Sequence, residues 1–308
     1  MYYLIYGLVY GLSLLPMRIL YFLSDILFFV LYYLTGYRRR VVMTNLNLAF
    51  PEQSPASRKK IARSFYRNLT DSFSETIKLF SAGESFIRRH FLMETPELYE
   101  RFFAQGRRCQ VHLGHLFNWE FANIGMPFFT SQPFIVVYMP LSNRIFDRLF
   151  LRLRKRAGSI LLPATEMRRS ILPYRNSLYL LTLVADQAPG NPAGSFWLSF
   201  FGQPTPFLRA PERGARAGDI PVLFGYIYKP RRGHYRAVLE LAAEHPAELP
   251  EGELTRRYVR FLEDVIRKHP ELYLWSHRRW KYPWAEEYGK MWIDSGEAIP
   301  LNKAVPYP

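Results

Sequence analysis

The chain is poor in cysteine: Cys109 is the single one in 308 residues. One thiol excludes an internal disulfide and fits a reducing compartment. With no cysteine pair and no clustered His–Cys spacing, a zinc site is not expected either. Glycine-rich phosphate loops of the Walker or dinucleotide type are missing. Gly190 and Gly194 sit in a proline-rich loop without the spacing that lets backbone amides cradle a nucleotide. There is no internal repeat and no low-complexity tract. A cleavable signal peptide is not expected, because no basic segment precedes the first apolar run and no small-x-small site precedes the charges. Acidic residues are also scarce: 26 Asp and Glu face 41 Lys and Arg, a formal net charge of +15. That balance favours anionic partners, namely nucleic acid, an anionic membrane surface, phosphorylated substrates or an acidic protein.

What the chain has in excess is apolar and aromatic surface. Hydrophobic residues make up 49% and aromatics 17%, enough for a sizeable core and for contact with lipid or apolar ligands. Residues 1–37 are almost wholly apolar, broken by Arg18, Asp25 and a few small polar residues, and divided by Pro16. The first half is near the lower limit for a membrane span, and the second is long enough but carries Asp25. The expectation is one apolar membrane helix or a helical hairpin dipping into one leaflet. Arg38, Arg39 and Arg40 follow at once, which by the positive-inside rule places the downstream chain on the cytoplasmic side. The expected division is an anchor over 1–37 and a catalytic domain over 38–308.

Beyond the anchor, Ser54-Pro55 opens a helix running to about Phe80, with Ile61, Phe65, Leu69, Phe73 and Ile77 as its apolar stripe. Lys59, Lys60, Arg63 and Arg67 lie off that stripe and read as a solvated face. Then strands and helices alternate. RRCQVHL, PFIVVYM, SLYLLTLVAD, IPVLFGYIY and HYRAVLELA read as strands, and Asn143–Ala157 and Glu253–His269 as helices. This order predicts an α/β sheet with helices on both faces.

One segment, VHLGHLFNWE, combines a strand end with reactive side chains. His115 and Glu120 stand five apart, His115 on the loop leaving the strand and Glu120 in the first turn of a helix whose N-cap is Asn118. A carboxylate so placed can accept a hydrogen bond from one ring nitrogen and leave the other free to take a proton. Imidazole titrates near pH 6.5 in model peptides, so it serves as a general base near neutrality. No serine or cysteine nucleophile is needed if the substrate brings its own hydroxyl. On spacing alone, a lone histidine near a strand end is more often structural. Three further clusters carry charge. Arg152, Arg154, Lys155 and Arg156 end a helix; Asp186-Gln187 end a strand, where α/β folds place functional side chains; Arg278 and Arg279 lie in WSHRRWK between Trp275 and Trp280. Each also reads as surface charge or aromatic packing, and Asp186 as a buried hydrogen-bond partner. A nucleic-acid role for the basic aromatic clusters is disfavoured by the apolar N-terminus.

In order, RRRVVMTNLNLAFPEQS, GHLFNWE, VYMPLSNRIFDRLFLRLRKRAG, ADQAP, SFFGQPTPF and ELYLWSHRRWK resemble the late acyltransferases of lipid A biosynthesis, the lauroyl and myristoyl transferase type, within the glycerolipid and lysophospholipid acyltransferase superfamily. The likeness covers nearly the whole chain. It implies a mixed central sheet flanked by helices. It also implies transfer of a fatty acyl group from acyl carrier protein to a hydroxyl of a lipid A precursor, at the cytoplasmic face of the inner membrane, without metal or redox cofactor. By that resemblance His115 is the general base and Glu120 its orienting partner. Backbone amides near Asn118, or an arginine of the 152–156 patch such as Arg154 or Arg156, would meet the oxyanion. Asp186 and Gln187 join the substrate site, and Arg278 and Arg279 grip the acceptor's phosphates. One departure stands out. The family usually reads Tyr-Arg-Pro where this chain has Tyr138, Met139 and Pro140, and Arg144 or Arg148 is expected to substitute. The alternatives are an acyltransferase for a lysophospholipid or aminolipid, and an inactive membrane-bound lipid-binding protein, which His115 and Glu120 disfavour.

Overall fold

The computed structural model describes residues 1–294 and Tyr307. Helices α1 (Tyr2–Ser13) and α2 (Met17–Phe29) break at Pro16, which caps α2 because it has no N–H to continue α1. Helix α3 (Arg39–Ala49) leads to α4 (Pro55–Lys78), opened by Ser54, whose hydroxyl accepts from the Ser57 N–H at 3.2 Å. There follow α5 (Glu84–His90), β1 (Phe91–Met93), α6 (Glu97–Ala104), β2 (Cys109–Leu113), α7 (Trp119–Gly125), β3 (Phe134–Tyr138), α8 (Arg144–Lys155) and β4 (Ile160–Pro163). The chain continues through α9 (Met167–Ser170), β5 (Leu180–Val184), the hairpin β6 (Phe196–Phe200) and β7 (Gln203–Phe207), α10 (Ala210–Ala217), β8 (Val222–Arg231), β9 (His234–Ala243) and α11 (Glu253–Lys268).

Among the described residues seven strands form one sheet in the order β1-β9-β8-β2-β5-β3-β4. Only β8 and β9 pair antiparallel, so the sheet is mixed, as the resemblance implied. Side chains alternate across it. Val111, Leu180 and Leu223 pack on one face with Phe121 of α7 and Leu149 and Leu153 of α8. Val222 and Phe224 pack on the other with Ala215 of α10 and Tyr258 and Leu262 of α11. The connections leaving β2 and β5 therefore depart to opposite faces, although the two strands are neighbours. A crevice opens at the carboxyl ends of strands where such connections diverge. His115 follows β2 and Asp186 follows β5, so both stand at that crevice.

The first 37 residues pack against the rest of the chain. Leu20, Ser24, Phe28 and Tyr32 are buried, most of them against α4. Ser24 donates to Asp71 at 2.8 Å, Tyr21 donates to Glu75 at 2.9 Å, and Arg232 bridges Asp25 and Asp71 at 2.8 and 2.6 Å. The outward faces are apolar: Leu4, Leu8, Phe22, Ile26 and Phe29 are exposed. Residues Met17–Leu34 form one helix long and apolar enough to cross a membrane by length and composition, with mean hydropathy 1.7. The segment expected as an anchor thus also supplies core. Removing residues 1–37 is expected to lower the melting temperature in detergent, since burying Leu20 and Phe28 contributes about 1.5–3 kcal/mol each. An unchanged melting curve would show these helices to be an appendage.

Helix α4 departs from its expected stripe. Phe65 and Leu69 are buried, but Phe73 is 47% exposed, and Tyr66, Asp71 and Glu75 face inward. A strict spacing of four drifts about 40° per step around a helix of 3.6 residues per turn, so a series that is buried at Phe65 and Leu69 has turned to solvent by Phe73.

Candidate functional site

The site grows out of strand register. Leu113 of β2 pairs with Val184 of β5, and two residues further along each chain come His115 and Asp186. Gly114 lets the turn run close to α11, because a Cβ there would lie 2.5 Å from Leu262 Cδ1. The His115 backbone N–H donates to Asp186 Oδ2 at 3.0 Å, and His115 Nδ1 lies 2.5 Å from Oδ1. An ionised carboxylate only accepts, so Nδ1 carries the proton and Nε2 keeps its lone pair. The Gln187 amide nitrogen approaches Nε2 at 3.3 Å, and the indole of Trp119 stands edge-on to the ring, 5.5 Å between centroids.

Asp186 is 1% exposed. Burial alone would raise its pKa. The charge of His115, its two hydrogen bonds and the charge of Arg279 overcome that and hold the carboxyl below the usual range. A buried group held ionised beside an imidazole is the arrangement that fixes a histidine tautomer and stabilises the imidazolium.

Glu120 does not take the place expected of it. Arg154 grips it as a fork, Nε donating to Oε2 at 2.9 Å and Nη2 to Oε1, and the Trp119 indole donates to Oε1 at 3.2 Å. The reason is geometric. Glu120 lies in the first turn of α7 and is directed to α8, whereas the ring of His115 turns to the adjacent strand end. Glu120 is buried and Arg154 nearly so, 7% and 18% exposed by side chain. Arg154→Met would leave that carboxylate without its cation, and an expected loss of about 3–5 kcal/mol should appear in chemical denaturation.

Asn118 caps α7 as expected, accepting from the Phe121 N–H at 3.1 Å. Its amide also donates to Glu75 at 3.0 Å. Glu75 was not anticipated from sequence. It is buried within α4 and accepts from Asn118, Tyr21 and Tyr235, the last at 2.6 Å. Burial pushes its pKa up against the opposing pull of Lys229 and these donors. The loop carrying His115 is therefore tied to α4 and, through Tyr21, to α2.

The remaining expectations fare differently. Arg156 donates to the Leu79 carbonyl, and Arg148 and Arg152 lie 4.1 Å over the rings of Tyr2 and Tyr6, which pins α1 to α8. Neither Arg144 nor Arg148 lines the cavity beside Met139; Arg154 does. Arg278 and Arg279, expected to grip phosphate together, are placed differently: Arg278 is exposed and Arg279 is buried. Arg279 is 1% exposed, donates to the Pro206 carbonyl at 2.9 Å and lies 4.2 Å over the Phe207 ring. Trp275 and Trp280 are core residues and Arg279 is buried beside them, while Arg278 stays at the surface, and neither arginine lines the cavity.

That cavity has a volume of about 1630 Å³ and begins at His115, Gln187, Trp119, Glu120 and Arg154. Small-molecule sites typically span about 300–1,000 Å³, so this one suits a larger, chain-like ligand. On the α7 face its wall is apolar, built from Val111, Leu113, Ala122, Met126, Phe134 and Leu180.

The family described as bacterial lipid A biosynthesis acyltransferase matches residues 1–282. The chain is 24% identical over 246 residues to the lipid A biosynthesis palmitoleoyltransferase of Escherichia coli (strain K12), covering 79% of both chains. The same figures hold for the lipid A biosynthesis acyltransferase of Shigella flexneri. The matched family span takes in the sheet, the His115 loop and the cavity, and the chain belongs to the bacterial lipid A biosynthesis acyltransferase family.

Proposed function

We propose that this acyltransferase moves a fatty acyl group from the thioester of acyl carrier protein to a hydroxyl of a lipid A precursor, with His115 as general base. The observation that carries the mechanism is the 2.5 Å contact of His115 Nδ1 with buried Asp186, beside a large apolar-walled cavity. His115 Nε2 takes the proton of the acceptor hydroxyl, and the oxygen attacks the thioester carbonyl. The resulting oxyanion collapses, the carbon–sulfur bond breaks, and the proton passes from the imidazolium to the leaving thiolate. Asp186 holds the tautomer and stabilises the imidazolium, the role the sequence had suggested for Glu120. Glu120 instead positions Arg154 in the cavity wall, where a cation favours the developing oxyanion.

The excess of cations suits both an acidic carrier protein and an anionic lipid. The exposed apolar faces of α1 and α2, followed by Arg38–Arg40, support a seat on the cytoplasmic face of the inner membrane. The test is mass spectrometry of the product formed from labelled acyl carrier protein thioester and a membrane lipid extract. Label on lipid A precursor is the expected result. Label on a glycerophospholipid or aminolipid would overturn the acceptor, and no labelled lipid would overturn the reaction.

A further inference from the structure

The cavity is lined from both faces of the sheet, and its two sides differ in chemistry. On the α7 face the wall is apolar. On the opposite face it runs beneath the crossover from β4 to β5, which includes α9, and alongside α10. There five arginines line it: Arg108 before β2, Arg168 and Arg169 on α9, Arg175 before β5, and Arg213 on α10. None of the five has an ion pair among the described residues. The two other lining arginines are already matched, Arg154 by Glu120 and Arg209 by Glu251. Against the five stands one lining carboxylate without such a match, Glu166. Arg108 is held in place, its guanidinium donating to the Arg175 carbonyl and lying 5.5 Å over the Tyr179 ring.

Five like charges around one concavity repel each other unless an anion joins them, and guanidinium forks match phosphate oxygens bidentately. The lobe is also far from the chemistry. From Ala185 back to Tyr179 the chain spans about 20 Å at the rise of a strand. An anion at Arg108 and Arg175 would therefore sit well away from the atom that His115 deprotonates. We propose that this lobe is a phosphate-ester subsite, which holds the charged part of one substrate while the acyl chain occupies the apolar lobe. This rests on the acyl-transfer reading for its substrates. Two sources share the chemistry: a phosphate of the acceptor lipid, and the phosphodiester of the carrier protein's pantetheine arm.

The test is direct binding, which needs no turnover. The full-length protein in detergent is titrated with phosphopantetheine against pantetheine, and with a sugar 1-phosphate against the free sugar. The same titrations are run on Arg168→Gln/Arg169→Gln. Both side chains are exposed, and a melting curve checks that the double variant folds as the wild type does. The expected result is that one phosphorylated probe binds, its phosphate-free counterpart does not, and the double variant weakens binding about tenfold or more. Binding of phosphopantetheine assigns the lobe to the donor, and binding of the sugar phosphate assigns it to the acceptor. Equal behaviour of each probe and its phosphate-free counterpart overturns the proposal, as does unchanged binding by the variant. Phosphate-dependent binding in a protein that transfers no acyl group would instead sink the acyl-transfer reading and leave the subsite standing.

Discussion

His115→Ala is expected to lower kcat/KM for acyl transfer by about 10²–10⁴-fold, the usual cost of losing a positioned general base. The expectation rests on Nε2, the nitrogen left with a lone pair once Nδ1 is committed to Asp186. Alanine has a second effect that must be separated from the first. It strips Asp186 of its imidazole partner and leaves a buried carboxylate with the backbone N–H of residue 115, the Tyr273 hydroxyl and the field of Arg279. Some stability should be lost with the activity. His115→Asn resolves the two, because its amide can still donate to Asp186 but cannot act as a base. Its rate should fall as far as that of the alanine variant, while its melting temperature stays closer to wild type. Rates near wild type in either variant would refute the general base.

The parts of this site that sequence made legible are those set by local pattern. His115 leaving a strand, Asn118 capping a helix and Asp186 at a strand's carboxyl end all follow from short-range signals; the structure has the first two and sets Asp186 two residues past the end of β5. The pairing of His115 with Asp186 was not legible, because 71 residues separate them and their contact depends on which strands are neighbours. Five-residue spacing instead suggested Glu120, whose direction is decided by the packing of α7 on α8. Arg279 was misplaced for a related reason. A cation between two tryptophans reads as surface in one dimension, yet Trp275 and Trp280 are both core and take it inside with them. Among elements, the long apolar strands were visible, while β1 and β4 are too short for a pattern. Strand β7 was hidden by Pro204 and Pro206, which sequence rules assign away from central strands and which here sit in a two-stranded hairpin. Glu75 gave no signal at all, since a carboxylate in a polar helix looks solvated until its neighbours are known.

Asp186→Asn should be nearly as damaging as loss of the base itself, on the order of 10³-fold or more, as for the same change in a Ser-His-Asp arrangement, where the fall is about 10⁴-fold. The hydrogen bonds say why. The backbone N–H of His115 donates to Oδ2, so the amide oxygen of asparagine must take that position. Its NH₂ then faces Nδ1 and forces that nitrogen to accept. The ring proton moves to Nε2, and no lone pair points at the acceptor hydroxyl. Glu120→Gln is the discriminating control. If Glu120 were the orienting carboxylate, it would carry the large loss and Asp186→Asn the small one; the contacts on Arg154 predict the reverse. Because Asp186 works through His115, the double variant His115→Asn/Asp186→Asn should be little slower than either single one, and additive losses would mean separate roles. Stability gives an independent check with a definite sign. The Asp186 carboxyl is held below its usual range in the folded protein. Its contribution is therefore complete above the unfolded carboxyl pKa of about 3.9 and is lost as pH falls through the lower folded value. The melting-temperature gap between wild type and Asp186→Asn should be full at neutral pH and close as the pH drops below about 4. A gap that stayed constant through that range would show that the ionised carboxylate, and with it the His115 tautomer it fixes, is not what the substitution removes.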